Sequence, residues 1–515
     1  MKLLKCGRLS KGVLLVLSGL WGCGAPAAID DRTFSDTRAV GMGGAASATV
    51  YDSAAGLINP AVLGFMARET DPEVDNYALG RQSFGWNILD LGLGATLTGS
   101  LGDYLQVLAD TDFDRFEPPA LQEPENILAL LELAGVLGAV SDEDTIVATA
   151  TAGSMVQMGN LSIGLRTYGQ VGGWINDLDL VNLGLRSLAE DLATDLRSAM
   201  EKDEFDPDNY EPVILTEESI QKLKDAFGGT GANDDVVEYL DYKTVELIDK
   251  NGLDADQIKG AVDTLADIIA ASADGETSLL DNQTSITGRG FLAVEVPLSY
   301  GYAINDNWAV GLTARAIFGR VYGTQVWAFN EDNEEILEDS LDSSVDRVNV
   351  GLDAALMYRI PKWQFALTGH NLNRPVFDGY DQTLTINGAP QTVRVPDVVL
   401  DPQITFGAAW LPLRRLTLAT DLELLETGTL LNGYDVQRIS LGSELDLPLL
   451  ALRLGTYRNI AEEDLGWVLT GGVGLNLWAL AVDLGAAVSI NDTVNYDGVD
   501  YPRTIRAHAS ISMDF

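Results

Sequence analysis

From Thr284 to Phe515 the chain alternates apolar and polar residues with a period of two, segment after segment. The pattern is cleanest at the end, where Ile505, Ala507, Ala509, Ile511, Met513 and Phe515 share one face and Thr504, Arg506, His508, Ser510, Ser512 and Asp514 the other. Such alternation predicts strands, because successive side chains of a strand point to opposite faces. Leu480 to Asn491 splits the same way, and Leu416, Leu418, Leu422 and Leu424 oppose Asp421 and Glu423. A soluble sandwich buries its apolar faces in a shared core and seldom sustains so many long strands. A membrane barrel with a wet lumen needs an apolar outside and a polar inside. About fourteen segments meet the period-two criterion, near residues 85–97, 145–158, 161–174, 285–304, 308–328, 345–360, 362–374, 400–412, 415–426, 437–447, 449–460, 466–477, 480–491 and 503–515. The expected fold is therefore an all-β transmembrane barrel of about fourteen antiparallel strands, an even number as single-chain bacterial barrels have.

The connectors give an independent test. Barrels of this class have short periplasmic turns and longer outer loops. Counting back from a periplasmic C-terminus, the inner turns are Leu477-Trp478-Ala479, Leu447-Pro448-Leu449, Pro412 to Arg415, Pro361, Asn305-Asp306-Asn307 and Gly159-Asn160. The outer loops are Asp492 to Tyr501, Ile460 to Gly466, Thr427 to Val436, His370 to Leu400, Phe329 to Ser344, Ile175 to Thr284 and Thr98 to Asp144. Short and long alternate without a break. Two of the loops read as helical, residues 98–144 and an acidic insert at 175–284. In the insert Leu188, Leu192, Leu196 and Met200 recur every four residues. Thr216 is placed to cap Glu217 to Phe227, and Asp254 with Gln257 forms a capping box before Ile258 to Ala271.

The first residues predict export. Lys2, Lys5, Arg8 and Lys11 precede an apolar run from Val13 to Leu20 and the small residues Ala25-Pro26-Ala27, the order of a secretory signal over 1–27. Leu20-Trp21-Gly22-Cys23 is the alternative, a lipoprotein box. Both cysteines, Cys6 and Cys23, fall before the cleavage site, which excludes disulfide, thiolate and cysteine-metal chemistry from the mature chain. The net charge of -43 repels nucleic-acid phosphate, so nucleic acid is excluded as a partner. The acidic insert holds 27 acids against 8 bases and supplies a large share of that charge.

Behind the signal, residues 28–80 precede the barrel at 81–515. Gly41, Gly43 and Ala46 can be laid over the G-x-G-x-x-G/A dinucleotide fingerprint, but no apolar strand precedes them and no acid follows at the ribose-binding distance. Small residues packed this densely suit a plug that must approach a barrel's inner wall, with Pro60 stopping a helix. The run Arg38-Ala39-Val40-Gly41-Met42-Gly43-Gly44, followed by Asp52 to Ala61 with its Asn59-Pro60-Ala61 element, is similar to the FadL/PorV-like outer-membrane barrels. The acidic insert and the stretch "GGVGLNLWALAVDLGAAV" look most like the barrel-type family labelled conjugal transfer protein TraF, which is distinct from the thioredoxin-like TraF. The resemblance to FadL-type members implies an N-terminal plug and passage of hydrophobic molecules toward a lateral opening. The TraF label implies an outer-membrane location, or a surface or assembly component whose barrel anchors an acidic cap.

The expected role is a channel or transporter for small hydrophobic solutes, not an enzyme, with no cofactor and no metal. Arg38, Gly41, Gly43, Gly44, Asp52, Asn59 and Pro60 are expected to shape the plug. Arg315, Asp353, Asp421, Glu423, Glu444, Arg453, Asp483, Arg506 and His508 fall on the inward register and are expected to line the lumen, paired with each other and with plug charges such as Arg38 and Asp52, because buried charge is costly unless paired. An ion-selectivity ring is the sharper reading of the same residues. His508 with Ser510 or Ser489 is the one arrangement available for hydrolysis. The carboxylate run Asn330 to Asp342 lacks the ligand spacing of a calcium loop. Gly169, Gly172 and Gly173 cluster where a kink would open the wall. The expected partners are outer-membrane lipid and lipopolysaccharide, a hydrophobic ligand, and the barrel-assembly machinery acting on the strand that ends in Phe515.

Overall fold

The computed structural model describes residues 32–66, 84–98, 144–176, 179, 188–203, 205–228, 234–251, 255–273, 283–327, 344–386, 389–431, 433–462, 465–477, 480–490, 492–496 and 499–514. The leader at 1–27, the loop at 99–143, the acidic run at 330–342 and the capping residue Asp254 lie outside them.

Fourteen antiparallel strands close into one barrel. They are β1 Phe84–Leu97, β2 Thr145–Met158, β3 Leu161–Asn176, β4 Ser285–Ala303, β5 Trp308–Trp327, β6 Ser344–Ile360, β7 Trp363–His370, β8 Gln403–Leu413, β9 Leu416–Glu423, β10 Arg438–Asp446, β11 Leu450–Asn459, β12 Val468–Leu477, β13 Leu480–Ser489 and β14 Thr504–Asp514. Each pairs with its neighbours in sequence, and β1 closes on β14. Closure satisfies every ladder without leaving an edge, the condition a sheet must meet inside a bilayer. The expected strands are all found, with ends moved by a few residues at most.

The alternation resolves into an outside and an inside. On β5, Trp308, Val310, Leu312 and Phe318 face out while Ala309, Thr313, Arg315 and Ile317 are buried. Trp308 and Phe318 stand ten residues apart, about 33 Å along a strand. At a tilt of about 40° that spans about 25 Å of membrane. Just past Phe318, Arg320 Nη2 donates to Asp346 Oδ2 at 2.8 Å on the outer surface, marking the polar boundary at the long-loop end. At the short-turn end the boundary is aromatic: Trp308 packs on Tyr358 at 4.5 Å, and Trp363 stacks on Trp410 at 5.9 Å. Aromatic rings favour this depth because one edge is apolar and the other wet.

The lumen is filled in layers, and β5 serves as a ruler. Three short helices, α1 Thr37–Gly41, α2 Ala55–Ile58 and α3 Ala61–Met66, occupy the half nearer the short turns. A Cβ placed at Gly311 would lie 2.2 Å from Ala61 N, so the plug backbone rests directly on the wall there. Higher on β5, Arg315 enters a belt of charge. Higher still, Gly319 meets Phe377 and Gly323 meets Val395, both from the loop after β7. That loop folds into the mouth as two small hairpins, Val376–Phe377 with Val398–Val399 and Tyr380–Ile386 with Ala389–Val395. With Tyr168, Phe291, Ile317 and Leu430 they pack into an apolar core that fills the mouth.

Among the described residues, the insert after β3 holds four α-helices: α4 Leu188–Met200, α5 Glu217–Ala226, α6 Asp234–Asn251 and α7 Ala255–Ala273. Thr216 caps α5 by accepting from Ser219 N at 3.1 Å, as its sequence position predicts. Their shared core, built around Leu192, Leu196, Leu223, Val237, Leu265 and Ile269, is drawn among the described residues from the insert alone. Asp241, fully buried, accepts from the backbone N–H groups of Val213, Ile214 and Leu215 at 2.7, 2.9 and 2.6 Å.

Candidate functional site

The plug seats on the wall through glycine. Gly43 has φ +66°, and a Cβ there would lie 2.7 Å from both Thr456 N and Thr456 O on β11. Gly44 has φ +88° and turns the chain back under Thr33. Gly41 approaches the Gly472 Cα on β12, its Cβ position only 3.0 Å away. Wall glycines reciprocate: Gly442 and Gly455 face Met42, Gly485 faces Thr37 and Val40, and Gly301 and Gly311 face α3. The fingerprint-like spacing of Gly41, Gly43 and Ala46 thus serves backbone-on-backbone packing. Asn59 ties the plug internally, its Nδ2 donating to Ser47 O at 2.7 Å and its Oδ1 accepting from Ala61 N at 3.0 Å, with Pro60 between them in contact with Gly311.

Charge holds the same assembly. Arg38 donates from Nε and Nη2 to the two oxygens of Glu444, both at 2.9 Å. Glu444 also accepts from Arg453 Nε at 2.6 Å, and Arg453 reaches on to Asp483. Asp421 accepts from Ala46 N at 3.2 Å and Ser47 N at 2.8 Å. Glu423 accepts from Thr33 Oγ1 at 2.7 Å and from Arg438 N at 2.8 Å. Asp52 turns to its own helix and accepts from Ala54 N at 2.9 Å, while Arg38 lies 4.5 Å over the Tyr51 ring.

A second hub centres on Glu295, which is fully buried. It accepts from Arg32 at 2.8 Å, from Arg166 at 3.2 Å and from Arg315 at 2.7 Å. Arg315 also reaches Asp353 at 2.9 Å, and Asn371. Asp353 stands 3.6 Å from His370 Nδ1. A third contact joins plug and wall at Asp90, which accepts from Thr37 N at 3.1 Å and Thr37 Oγ1 at 3.0 Å and lies 3.8 Å from His508 Nδ1. Sequence reasoning left out Arg32, Asp90, Arg166 and Glu295. Their parity was the available signal, since Asp90, Arg166 and Glu295 fall on the polar register of their strands. Of the two serines weighed beside His508, Ser489 donates to Asp492 O at 2.8 Å and is engaged at the strand end.

Arg506 meets the plug at another point. Its guanidinium carbon lies 4.4 Å over the ring of the plug residue Phe34, with Arg438 5.1 Å from the same ring and Tyr457 packed on it at 4.7 Å. Outside the wall at this height is a depression of about 550 Å³, lined by Leu93, Ala95, Ala148, Ala150, Gly169 and Ile505 among others. Inside is a void of about 10 Å³ that reaches Gln170, Tyr434 and Arg438. Gly94, Ala95, Thr149 and Arg506 border both.

The glycines of β3 do not kink the wall. One register runs from Leu161↔Tyr300 to Asn176↔Ser285, and Gly172 makes room for Leu431. The register shift lies in β1, between Asn87 and Asp90.

Several solved structures resemble this architecture. The toluene transporter TodX of Pseudomonas putida covers 95% of this chain and 99% of its own at 11% identity and a TM-score of 0.43. The CymD monoaromatic hydrocarbon channel covers 94% and 98% at 11% identity and a TM-score of 0.44. A FadL homologue of Pseudomonas aeruginosa covers 96% and 99% at 8% identity and a TM-score of 0.38. No curated protein sequence matches. The family described as the F plasmid transfer operon TraF protein matches residues 56–423, from the plug through the insert to the end of β9, and the chain belongs to that family.

Proposed function

We propose that the protein is an outer-membrane channel for small hydrophobic solutes, admitted past the apolar core that fills the mouth and released sideways into the bilayer. The observation that carries this reading is the apolar depression in the lipid-facing wall, backed by a lumen void across a single layer of sheet. Gly94 and Thr149 thin the wall within, and without, Ala95, Ala148, Ala150 and Ala507 form the floor between the larger Leu93, Val171 and Ile505. An apolar solute leaving there meets hydrocarbon and never crosses the ion-paired belt below. The apolar mouth suits the same cargo, since Tyr168, Phe291, Ile317 and Phe377 pack together in it.

Intact Gram-negative cells provide the test, because lipopolysaccharide slows apolar solutes that bare lipid would let through. Cells making the full chain should take up the apolar fluorophore N-phenylnaphthylamine several-fold faster than cells carrying an empty vector. Equal rates would remove the transport reading.

A second reading is favoured by the insert, whose helices, among the described residues, share a core made of insert residues. A module packed in that way is suited to meet a partner at the cell surface, with the barrel as its anchor, which accords with the transfer-operon description of the family. Replacing residues 177–284 by a short Gly-Ser linker separates the two. Uptake that survives the deletion makes the module accessory to transport.

A further inference from the structure

We propose that Arg506 is a latch that couples the plug to the seam between β14 and β1, holding the wall closed beside the depression. The proposal rests on the transport reading for its purpose but not for its test.

On the inner face of β1 at this height there is almost no side chain. Positions 92 and 94 are both glycine, and their cross-strand partners on β14 are His508 and Arg506. Those two side chains reach across and fill the gaps. A Cβ at Gly92 would lie within 2.1 Å of the His508 ring, and one at Gly94 would lie 3.2 Å from Arg506 Cγ. The inner packing of the seam is therefore supplied from β14.

Arg506 does more than fill. Past Gly94 its guanidinium sits over Phe34, which is 1% exposed and belongs to the plug. One side chain thus touches the plug at its tip and the seam at its stem, and borders the void on one side of the wall and the depression on the other. Outside, each cross-strand pair joins a large residue to a small one, Leu93 with Ala507 and Ile505 with Ala95, so parting β1 from β14 over a few residues costs ladder hydrogen bonds and the packing of those two alkyl side chains. The register shift in β1 at Asn87–Leu89 lies next to this stretch. Bulges of this kind terminate or re-aim pairing. While Phe34 stays seated, the guanidinium pins β14. When the plug moves, the pin is withdrawn and the seam is free to part.

The test uses the full chain in intact cells, with N-phenylnaphthylamine uptake as the reading and heat-modifiable gel mobility as the check of assembly. Arg506→Ala should raise uptake over wild type on the order of tenfold, the shift expected from losing a partly desolvated cation–π contact. Arg506→Lys keeps a cation over Phe34 and should return uptake toward wild type. Leu93 and Ala507 oppose each other across the seam on its outer face, and the chain's cysteines, Cys6 and Cys23, both lie ahead of the barrel. In the Leu93→Cys, Ala507→Cys, Arg506→Ala variant, oxidation should abolish the added uptake and reductant should restore it. An assembled Arg506→Ala variant that takes up probe at the wild-type rate overturns the latch. Added uptake that persists with the seam cross-linked overturns its placement at β14–β1. If wild type matches the empty vector while Arg506→Ala is fast and is closed by oxidation, the transport reading falls and the latch stands.

Discussion

The seating of the plug on glycine can be tested with one methyl group. Gly43 has φ +66°, where any residue with a Cβ is strained, at a cost of about 1–2 kcal/mol. Its Cβ would also lie 2.7 Å from two backbone atoms of Thr456 and 2.9 Å from Leu441 O. Those atoms belong to barrel strands and cannot swing aside as a side chain would, so overpacking adds about 1–3 kcal/mol. Gly43→Ala should therefore lose about 2–5 kcal/mol of plug docking, a shift of more than tenfold in the docked fraction. Gly471→Ala is the control, because a Cβ there has no atom within 4 Å. Arg38, 4% exposed and paired to Glu444, gives the readout. Trypsin should cut after Arg38 in isolated membranes faster in Gly43→Ala than in wild type or Gly471→Ala, while the barrel keeps its heat-modifiable mobility. If Gly43→Ala protects Arg38 as well as Gly471→Ala does, the backbone contact is not what seats the plug.

Three further outcomes follow from the buried charges and caps. Glu295→Gln leaves the guanidiniums of Arg32, Arg166 and Arg315 around a neutral amide, and breaking a buried pair costs about 3–5 kcal/mol. The variant should lower the temperature of the gel-mobility transition, and an unchanged transition would mean the hub is not stabilising. Asp241→Ala strands three backbone donors that each contribute about 1.5–3 kcal/mol when bonded to a charged group; proteolysis should then remove the insert and spare the barrel, whereas loss of both would show that the insert core is not independent. In the loop hairpin outside the strands, burial and the neighbouring Glu426 push the Asp435 carboxyl up to about 6. A raised acid pKa means the folded hairpin binds the proton more tightly than the unfolded chain, so its contribution is fully present at low pH and declines as pH rises from the unfolded value through about 6. After division by the intrinsic exchange rate at each pH, hydrogen-exchange protection over 433–436 should be greater at pH 5 than at pH 7.5, with the protection of Asp435→Asn insensitive to the change; the reverse order would contradict the assignment.

How much of this was legible depended on periodicity. Period two is a local property, so Ile505 to Asp514 declares its two faces within ten residues, and the strand limits follow from the turns. The plug was legible only as density of small residues, since Gly41 and Gly43 announce close approach but not which strand is approached. Pairing was less legible still. Glu295, Arg166 and Arg32 lie on β4, β3 and the plug, and nothing local in the sequence says that their side chains converge. Asp52 and Arg38 were both readable as plug charges, yet only Arg38 reaches the wall, because the Asp52 carboxylate is taken up by the Ala54 N–H two residues on. The β3 glycines show the converse. They satisfy the composition of a kink, but a constant register on both sides keeps the strand regular, and the irregularity falls in β1, beside Asn87 and Asp90.

The division of charge within the molecule bears on what could pass through it. The chain carries a net charge of -43, yet in the belt around the plug the carboxylates of Glu295, Asp353, Glu444 and Asp483 all meet guanidinium groups. The insert alone accounts for 27 acids against 8 bases. Excess charge is thus concentrated where water solvates it, and the lumen is kept close to neutral by pairing, as the cost of burying isolated ions demands. A lumen built to select ions by charge would leave one sign exposed to the passage. Here Arg315 is buried and held by Glu295 and Asp353, and Arg453 by Glu444 and Asp483. Those charges serve to fix the plug, which leaves the apolar parts, the packed core of the mouth and the depression at β14–β1–β2–β3, as those that the proposed solute would meet.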